Sequence, residues 1–344
     1  AQRVVDYENL NLQGGYPGFE VWFENRFHRV ADPFRHPIDG VKSLLTPIGS
    51  LGDKLRVGMM RMGLLSSRTM TDDCSTINAL DHMGFGNSMI NRFWKPFMRG
   101  VFLENELSTT IRKFEETFRF FSKGDTVLPK KGIGEIPRQL AGQLPREHIL
   151  LETEISKVDS NSVESSDGAK WEGRAVVLAT EDYHANQLLG IGKGHAEWNS
   201  VVCLYFSLAV DDLPSDEPIL YLDGTGNGPI NNLTFVSTLC DCAPVGQALA
   251  SVSVIGKKEL DIQEIANQAK EQLTEWFGEK AEGWKYLKGY RIHQAVPSCP
   301  VPPSPKPSLT EVYRCGDYFG LPSIDSAMKS GRITAEHIIQ EFKS

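Results

Sequence analysis

The sequence predicts an α/β protein with a second, α+β part. Three observations predict it. Residues 174–180 are a continuous apolar run ending in a small polar residue, which suits a strand buried on both faces of a layered α/β domain. Between residues 200 and 255, apolar stretches alternate with glycine- and proline-rich turns, as in an antiparallel sheet. Residues 311–342 read as a strand, a Gly-Asp pair, a glycine loop and a helix.

The first fifty residues read as irregular, punctuated by Pro17, Pro33, Pro37 and Pro47. Helical spacing then takes over. Ile111, Phe114, Phe118 and Phe121 fall at i, i+3, i+7 and i+10, which gives an amphipathic helix with a phenylalanine-rich face. Core packing is the plain reading of that face, and a substrate-lining role for one ring is the alternative. Residues 128–144 give a short apolar segment, the turn Gly132-Ile133-Gly134 and a helix from about Glu135 to Leu144. Pro137 fits the first turn of that helix, where no backbone N–H is needed. Strands are expected at 149–158, 162–164 and 174–180, with Asp167-Gly168 as a turn. Further strands are expected at 200–210, 219–222, 232–239 and 248–255. A helix follows, on which Ile262, Ile265, Ala266, Ala269, Leu273, Trp276 and Phe277 form one apolar stripe. Residues 297–307 are a proline-rich loop. The chain closes on a strand at 311–315 and a helix from about Ile324 to Phe342.

Composition bounds the function. The chain has 344 residues, enough for two cores, and its net charge of −8 comes without a long basic stripe. Nucleic acid is therefore not an expected partner. The longest largely apolar stretch, 201–210, is far short of the roughly 20 residues that span a bilayer. Peripheral membrane contact stays open. The six cysteines include no C-x-x-C pair and do not form a disulfide framework pattern. Cys240-Asp241-Cys242 would put both thiols on one face if it lay on a strand, and two small core residues are the plain reading. The eight histidines are dispersed, so no metal site is expected. The expected setting is reducing, intracellular and soluble, with plastid and cytoplasm both open. No G-x-S-x-G, H-E-x-x-H or G-x-x-x-x-G-K-[ST] occurs.

The chemistry-bearing segment is the last one, Val312-Tyr-Arg-Cys-Gly316-Asp317 followed by Gly320, Ser323 and Ala327. Ser323 suits a helix N-cap, and Asp325 suits the first helical turn. A free helix N-terminus fits an anion or a ring carbonyl that gains negative charge. This segment resembles the closing FAD motif of the amine-oxidase superfamily, including protoporphyrinogen oxidases and phytoene desaturases. The resemblance implies that Gly316-Asp317 contacts the ribitol chain through Asp317. It also implies that Ser323, Ile324 and Ala327 lie at a helix mouth facing the pyrimidine edge of the flavin. Asp325-Ser326 stands where the family usually has Asn or Glu, then Gly.

Three further stretches agree in order. Leu128 through Gly132 and Gly134 to Leu140 resembles the glycine segment that passes near the isoalloxazine. Ile155, followed by the strand that ends at Thr180, resembles the adenine-contact region. Residues 91–103 resemble the substrate-side segment of the phytoene-desaturase-like branch. The fold so implied is a Rossmann-like FAD domain (126–180 and 308–344) with a substrate domain of antiparallel sheet and helices (16–125 and 181–300).

The family opens with a strand, a G-x-G-x-x-G turn and a helix that take the diphosphate. Gly84-Phe-Gly86, Gly190-Ile-Gly192-Lys-Gly194 and Gly224-Thr-Gly226-Asn-Gly228 do not spell that turn. The FAD domain is therefore expected to be incomplete at its N-terminal side, on a processed or truncated chain that starts at Ala1. FAD is expected to bind weakly or not at all.

The activity implied is hydride transfer from a C–H bond of an apolar substrate, isoprenoid or tetrapyrrole-like, to flavin. Alternatives are an amine substrate, or a non-catalytic binding or structural homologue that has lost FAD. No catalytic acid or base is named. Lys130 and Lys131 are candidates to touch the flavin or polarise oxygen, with a surface lysine as the plain reading. Oligomeric state is not legible.

Overall fold

The computed structural model describes residues 3–65, 70–191, 197–256, 259–299 and 312–343. The chain divides into two units: Tyr7–Glu135 with Trp198–Val296, and Ala1–Asp6 with Ile136–Glu197 and Pro297–Ser344.

The larger unit is built on a seven-stranded mixed sheet. Its strands are β2 (Gly18–Phe23), β3 (Arg26–Ala31), β9 (Trp198–Ala209), β10 (Leu220–Asp223), β11 (Ile230–Phe235), β12 (Gln247–Ile255) and β13 (Lys285–Pro297). They run in the order β13-β9-β12-β11-β10-β2-β3. The β10–β2 pairing is parallel, with Leu220 opposite Phe19. A small ladder of β1 (Leu12–Gly14) and β4 (Val127–Pro129) lies beside this sheet in sequence.

Alternation places the core. On β9, Val202, Leu204, Phe206 and Leu208 are buried and share one face. They pack with the apolar stripe of α9 (Ile262–Phe277), whose Ile265, Ala269, Leu273 and Trp276 are buried. The helix starts where the Asp261 carboxylate accepts the Gln263 N–H, and it stops at Gly278, with φ at 68°. A short helix, α10 (Glu279–Glu282), follows.

A second core gathers Val21 and Leu222 with helical side chains. The helices are α3 (Thr76–His82), the single turn α4 (Asn87–Met89), α5 (Lys95–Phe102) and α6 (Ile111–Lys123). A π-helical turn, Ile90–Trp94, joins α4 to α5. On α6, Ile111 and Phe114 are fully buried, so core packing holds for that end of the stripe.

The expectation of irregular structure through residue 50 is overturned. That stretch contains β1, β2, β3 and a helix, α1 (Pro37–Ser43), and is followed by α2 (Leu51–Arg61). The β2–β3 hairpin turns on Glu24 and Asn25, both left-handed at φ of 53° and 56°. That geometry matches the twist of the flanking strands. Pro37 sits at the start of α1, where it costs no hydrogen bond, so it begins an element instead of breaking one. The long edge strand β13 was likewise not expected from the sequence.

The smaller unit holds a three-stranded antiparallel sheet of β5 (Ile155–Val158), β6 (Ser162–Ser165) and β7 (Lys170–Glu172). It also holds a two-stranded parallel sheet of β8 (Val177–Leu178) and β14 (Tyr313–Arg314). Its helices are the C-terminal part of α7 (Glu135–Ala141), α8 (Asp182–Leu188) and α11 (Ile324–Glu341).

Its core cluster is small. Leu178, Ala185 and Val312 are buried, with Val158, Val176, Leu188 and Leu189 packed against them. The run 174–180 was expected to be a strand buried on both faces. It is a strand only at Val177–Leu178, and Val177 is exposed. The physical reason is pairing: among the described residues β8 has β14 on one side and no strand on the other.

Residues 126–135 cluster with the larger unit, through the β1–β4 ladder, and residues 181–197 with the smaller one, through Ala185 on α8. Most of the proline-rich loop and Glu311 lie outside the described residues.

Candidate functional site

The strand pair β8–β14 sets up the site in the smaller unit. Tyr313 lies opposite Val177 and Arg314 opposite Leu178. The Tyr313 N–H donates to the Val176 carbonyl at 3.0 Å, and the Cys315 N–H to the Leu178 carbonyl at 3.0 Å. Because the strands are parallel, Thr180 and Gly316 emerge at the same end, each two residues past its paired partner. That carboxyl end is where open α/β sheets take ligands.

Beyond Gly316 the chain makes a tight 3-10 turn, Asp317–Phe319, and then enters α11. Ser323 is the N-cap: its Oγ accepts the Ser326 N–H at 3.1 Å, while the Ala327 N–H donates to the Ser323 carbonyl at 3.0 Å. The Gly316 N–H donates to Ser330 Oγ at 3.2 Å, which ties the turn to the helix. Gly316 is a glycine for lack of room: a Cβ there would meet the Tyr318 ring at 2.2 Å.

Arg314 anchors this arrangement, and sequence reasoning missed it. Its Nη2 donates to Asp182 Oδ1, in the first turn of α8, at 2.6 Å, and both side chains are nearly buried. Its Nε is buried and has no protein hydrogen-bond partner. The available signal was a lone arginine in an otherwise apolar short strand. Burial pushes the Cys315 thiol and the Tyr318 phenol up, so both stay neutral next to the site at ordinary pH. A cavity of about 100 Å³ opens between Arg314, Phe319 and Gly320 on one side and Ser326, Lys329 and Ser330 of α11 on the other.

Asp182→Ala should leave the Arg314 guanidinium buried without its counter-charge. The expected loss is about 3 kcal/mol in the stability of the smaller unit. Faster amide exchange at β8 and β14, with the larger unit unchanged, would register it. Unchanged exchange would show that the ion pair is not structural.

The other sequence candidates divide between the units. Ile155 opens β5 opposite Ser165, and Thr180 is exposed, its hydroxyl 3.4 Å from the Glu181 carbonyl. Both belong to the smaller unit, with Gly316, Asp317, Ser323, Ile324 and Ala327. Ile324 is exposed, and Ala327 is half-buried.

Gly132 and Gly134 belong to the larger unit, between β4 and α7. Gly132 has φ of 90°, and its N–H donates to the Pro129 carbonyl at 2.7 Å. That left-handed turn is open to glycine and strained for other residues. Lys130 is tied down: its carbonyl accepts the Asp241 N–H at 2.8 Å, and its Nζ lies 3.8 Å from the Asp241 carboxylate. Lys131 is exposed. Cys240 is buried and Cys242 exposed, in a turn after the short helix that follows β11, so they do not share a strand face.

A family model described as flavin containing amine oxidoreductase matches residues 8–339. The chain belongs to this family. It is an FAD-dependent oxidoreductase of the amine-oxidase superfamily, with the mixed α/β fold of that group. No curated protein matches the sequence.

Solved structures share the fold at low identity. An oxidoreductase from Methanosarcina mazei aligns with a TM-score of 0.71 at 13% identity, covering 95% of this chain and 82% of its own. A putative protoporphyrinogen oxidase from Exiguobacterium sp. aligns at 0.65 and 14%, covering 97% and 84%. Cyclohexylamine oxidase from Brevibacterium oxydans aligns at 0.64 and 15%, covering 98% and 84%.

The residues present fit one end of FAD. The Asp317 carboxylate stands after the strand, the capped start of α11 follows it, and Arg314 brings a buried N–H that no protein atom takes. The diphosphate end finds less. Gly86 precedes the single turn α4, Gly190 closes α8, and Gly224 to Gly228 connect β10 to β11. Gly192 and Gly194 lie outside the described residues.

Proposed function

We propose that this oxidoreductase acts on a large apolar substrate, isoprenoid or tetrapyrrole-like, at a C–H bond, and that FAD, held weakly by this chain, takes the hydride. The observation that carries the reading is an aromatic wall in the larger unit that runs from core to solvent. Phe97 is buried and packs on Phe19 at 4.7 Å and edge-on against Phe121 at 4.9 Å between ring centroids. Phe121 and its neighbour Phe120 are exposed. Rings in this arrangement offer area and shape to a large apolar molecule.

Flavin, when bound, supplies a two-electron acceptor. The chain's own part is to bind, orient and exclude water. Asp317 is suited to accept a hydrogen bond from a ribitol hydroxyl. The start of α11, at Ser323, Ile324 and Ala327, offers N–H groups and a partial positive charge to an electron-rich ring edge. Ile155 and Thr180 are assigned to the adenine side, and Gly132 and Gly134 to the flavin-facing turn, on the family resemblance alone.

The test is anaerobic reduction. The chain is loaded with excess FAD and given, in separate runs, a polyene isoprenoid in micelles, a reduced tetrapyrrole and cyclohexylamine. Loss of flavin absorbance with either of the first two, and not with the amine, is the expected result. Bleaching by the amine alone would overturn the substrate reading. Bound flavin that no substrate bleaches would favour a non-catalytic homologue.

A further inference from the structure

We infer that Cys240 and Cys242 are a redox-active dithiol site, which closes to a disulfide within one turn by exchange with a low-molecular-weight disulfide such as glutathione disulfide. The C-x-C spacing alone does not carry this. On an extended strand, residues two apart stand roughly 6.4–6.8 Å apart, at the far limit of the 4.4–6.8 Å between α-carbons that a disulfide spans. The observed turn brings them closer. The Cys242 N–H donates to the Cys240 carbonyl at 2.9 Å. A hydrogen bond from residue i+2 back to residue i makes a γ-turn, which draws the flanking α-carbons together.

The two thiols are neighbours across that turn. The Cys242 thiol is pushed up to about 12, first by desolvation, then by a hydrogen bond to the Cys240 thiol and by the charge Cys240 would carry, with a smaller push from Asp241. Two sulfurs that resist carrying charge together lie within reach of each other. Their exposure differs. Cys240 is buried, while Cys242 is the one exposed cysteine of the six. A core role accounts for Cys240 and not for Cys242.

The turn is held from both sides. The Leu239 and Cys240 N–H groups both donate to the Val236 carbonyl at 3.0 Å, and the Cys240 thiol donates to the same oxygen at 3.3 Å. On the other side the Asp241 N–H donates to the Lys130 carbonyl at 2.8 Å. Ring closure therefore orders a segment whose backbone is already fixed, and it costs little further chain entropy.

Exchange begins at the exposed sulfur. The Cys242 thiolate attacks one sulfur of glutathione disulfide. A Cys242–glutathione bond forms as the glutathione S–S bond breaks, and the first glutathione leaves as thiolate. The Cys240 thiolate then attacks the Cys242 sulfur, and the second glutathione leaves. The pair is oxidised by two electrons, and glutathione disulfide is reduced to two thiols. The two cysteine protons end on the departing glutathiones.

Thiol trapping on the full 344-residue chain tests this. The chain is equilibrated with glutathione disulfide at about pH 8.5, where thiolate is more abundant than at neutral pH, then quenched in acid, alkylated and mapped by peptide mass. The expected product has Cys240 and Cys242 linked to each other, lacking two hydrogens and carrying no glutathione. Alkylation of both should fall at least about tenfold below that of the chain kept in reduced glutathione. Cys240→Ser should stop the exchange halfway and leave glutathione on Cys242, with far-UV circular dichroism checking that the variant folds. The same treatment of wild type in urea should close the pair at least about tenfold less, because the turn is lost. Wild-type thiols that both stay open to alkylation, or a wild-type chain that carries glutathione on Cys242 without closing, would overturn the inference. So would linkage of either sulfur to another cysteine, or equal closure in urea. None of these readouts needs flavin, so the result stands whether or not the proposed substrate is right.

Discussion

Asp53→Ala should lower the stability of the larger unit by about 3 kcal/mol, because it removes the acceptor on which three hydrogen-bond donors converge. The carboxylate is buried at 2% exposure. Its Oδ2 accepts the Ser50 N–H at 2.8 Å and the Ser50 hydroxyl at 2.7 Å, and its Oδ1 accepts the Gly86 N–H at 2.8 Å. Ser50 in turn caps α2 by accepting the Asp53 N–H at 3.1 Å, a reciprocal capping box. Alanine would uncap α2, release the segment before α4 and leave the Ser50 and Gly86 N–H groups without this acceptor. Urea unfolding followed by tryptophan fluorescence would report the loss as a lower midpoint. A change within about 0.5 kcal/mol would mean that water replaces the carboxylate at no cost.

The same group gives a pH signature. Burial alone would raise the Asp53 pKa, but the hydrogen bonds from the Gly86 N–H and from Ser50, with Arg56 3.8 Å away, outweigh it and hold the pKa below the usual carboxylate value. A group with a lowered folded pKa adds stability above its unfolded value, about 3.9, and that stability disappears as pH falls through the folded value. Wild type should therefore lose more stability than Asp53→Asn between about pH 5 and pH 2. Parallel curves for the two proteins would sink that assignment.

The closing element was legible because its signals are local. A short apolar strand, Gly-Asp, a glycine loop and a serine N-cap specify β14, the turn and α11 with little help from the rest of the chain. The stripe of α9 was legible for the same reason: its apolar positions follow one helical face from Ile262 to Phe277. The β2–β3 hairpin was not legible. Its turn is Glu24-Asn25, without the glycine that usually betrays a left-handed pair, and β2 pairs with β10 some two hundred residues away. The strand β13 was missed because charges fall on both of its faces, Lys285 and Arg291 on one and Lys288 on the other, and these blur the alternation.

Site residues follow the same division. Asp317 and Ser323 could be proposed as candidates because they stand in a local motif. The Arg314–Asp182 pair could not, because it joins residues far apart in sequence. Nor does any periodicity reveal that α2 turns its leucines outward, since the spacing of a stripe is the same whichever way it faces.

FAD should bind this chain weakly, without saturating at submicromolar concentration. In the family it resembles, the cofactor is held at the flavin ring and ribitol, at the diphosphate and at the adenosine. The smaller unit offers candidates for the first set only: Asp317 after β14 and the capped start of α11. For the diphosphate, the 344 residues contain no G-x-G-x-x-G turn. Such a turn aims several backbone N–H groups and a helix dipole at the phosphates. Each charge-assisted hydrogen bond is worth roughly 1.5–3 kcal/mol, and each 1.4 kcal/mol is about a factor of ten, so two such bonds amount to a hundredfold or more. The scaffold compounds the effect. The core cluster of the smaller unit is small, and its parallel sheet has only two strands among the described residues. Asp317, the candidate ribitol contact, therefore follows a strand pair with little apolar packing to support a bound cofactor. Against this weak background, Asp317→Ala should weaken binding again, by up to about a hundredfold. Asp317→Asn should cost less, because it keeps an acceptor and the internal contacts of the turn. Flavin fluorescence followed during titration of all three proteins separates the contributions. Saturable submicromolar binding by wild type would mean that the residues present suffice without the glycine turn. Equal affinity of wild type and Asp317→Ala would remove Asp317 from the cofactor's contacts.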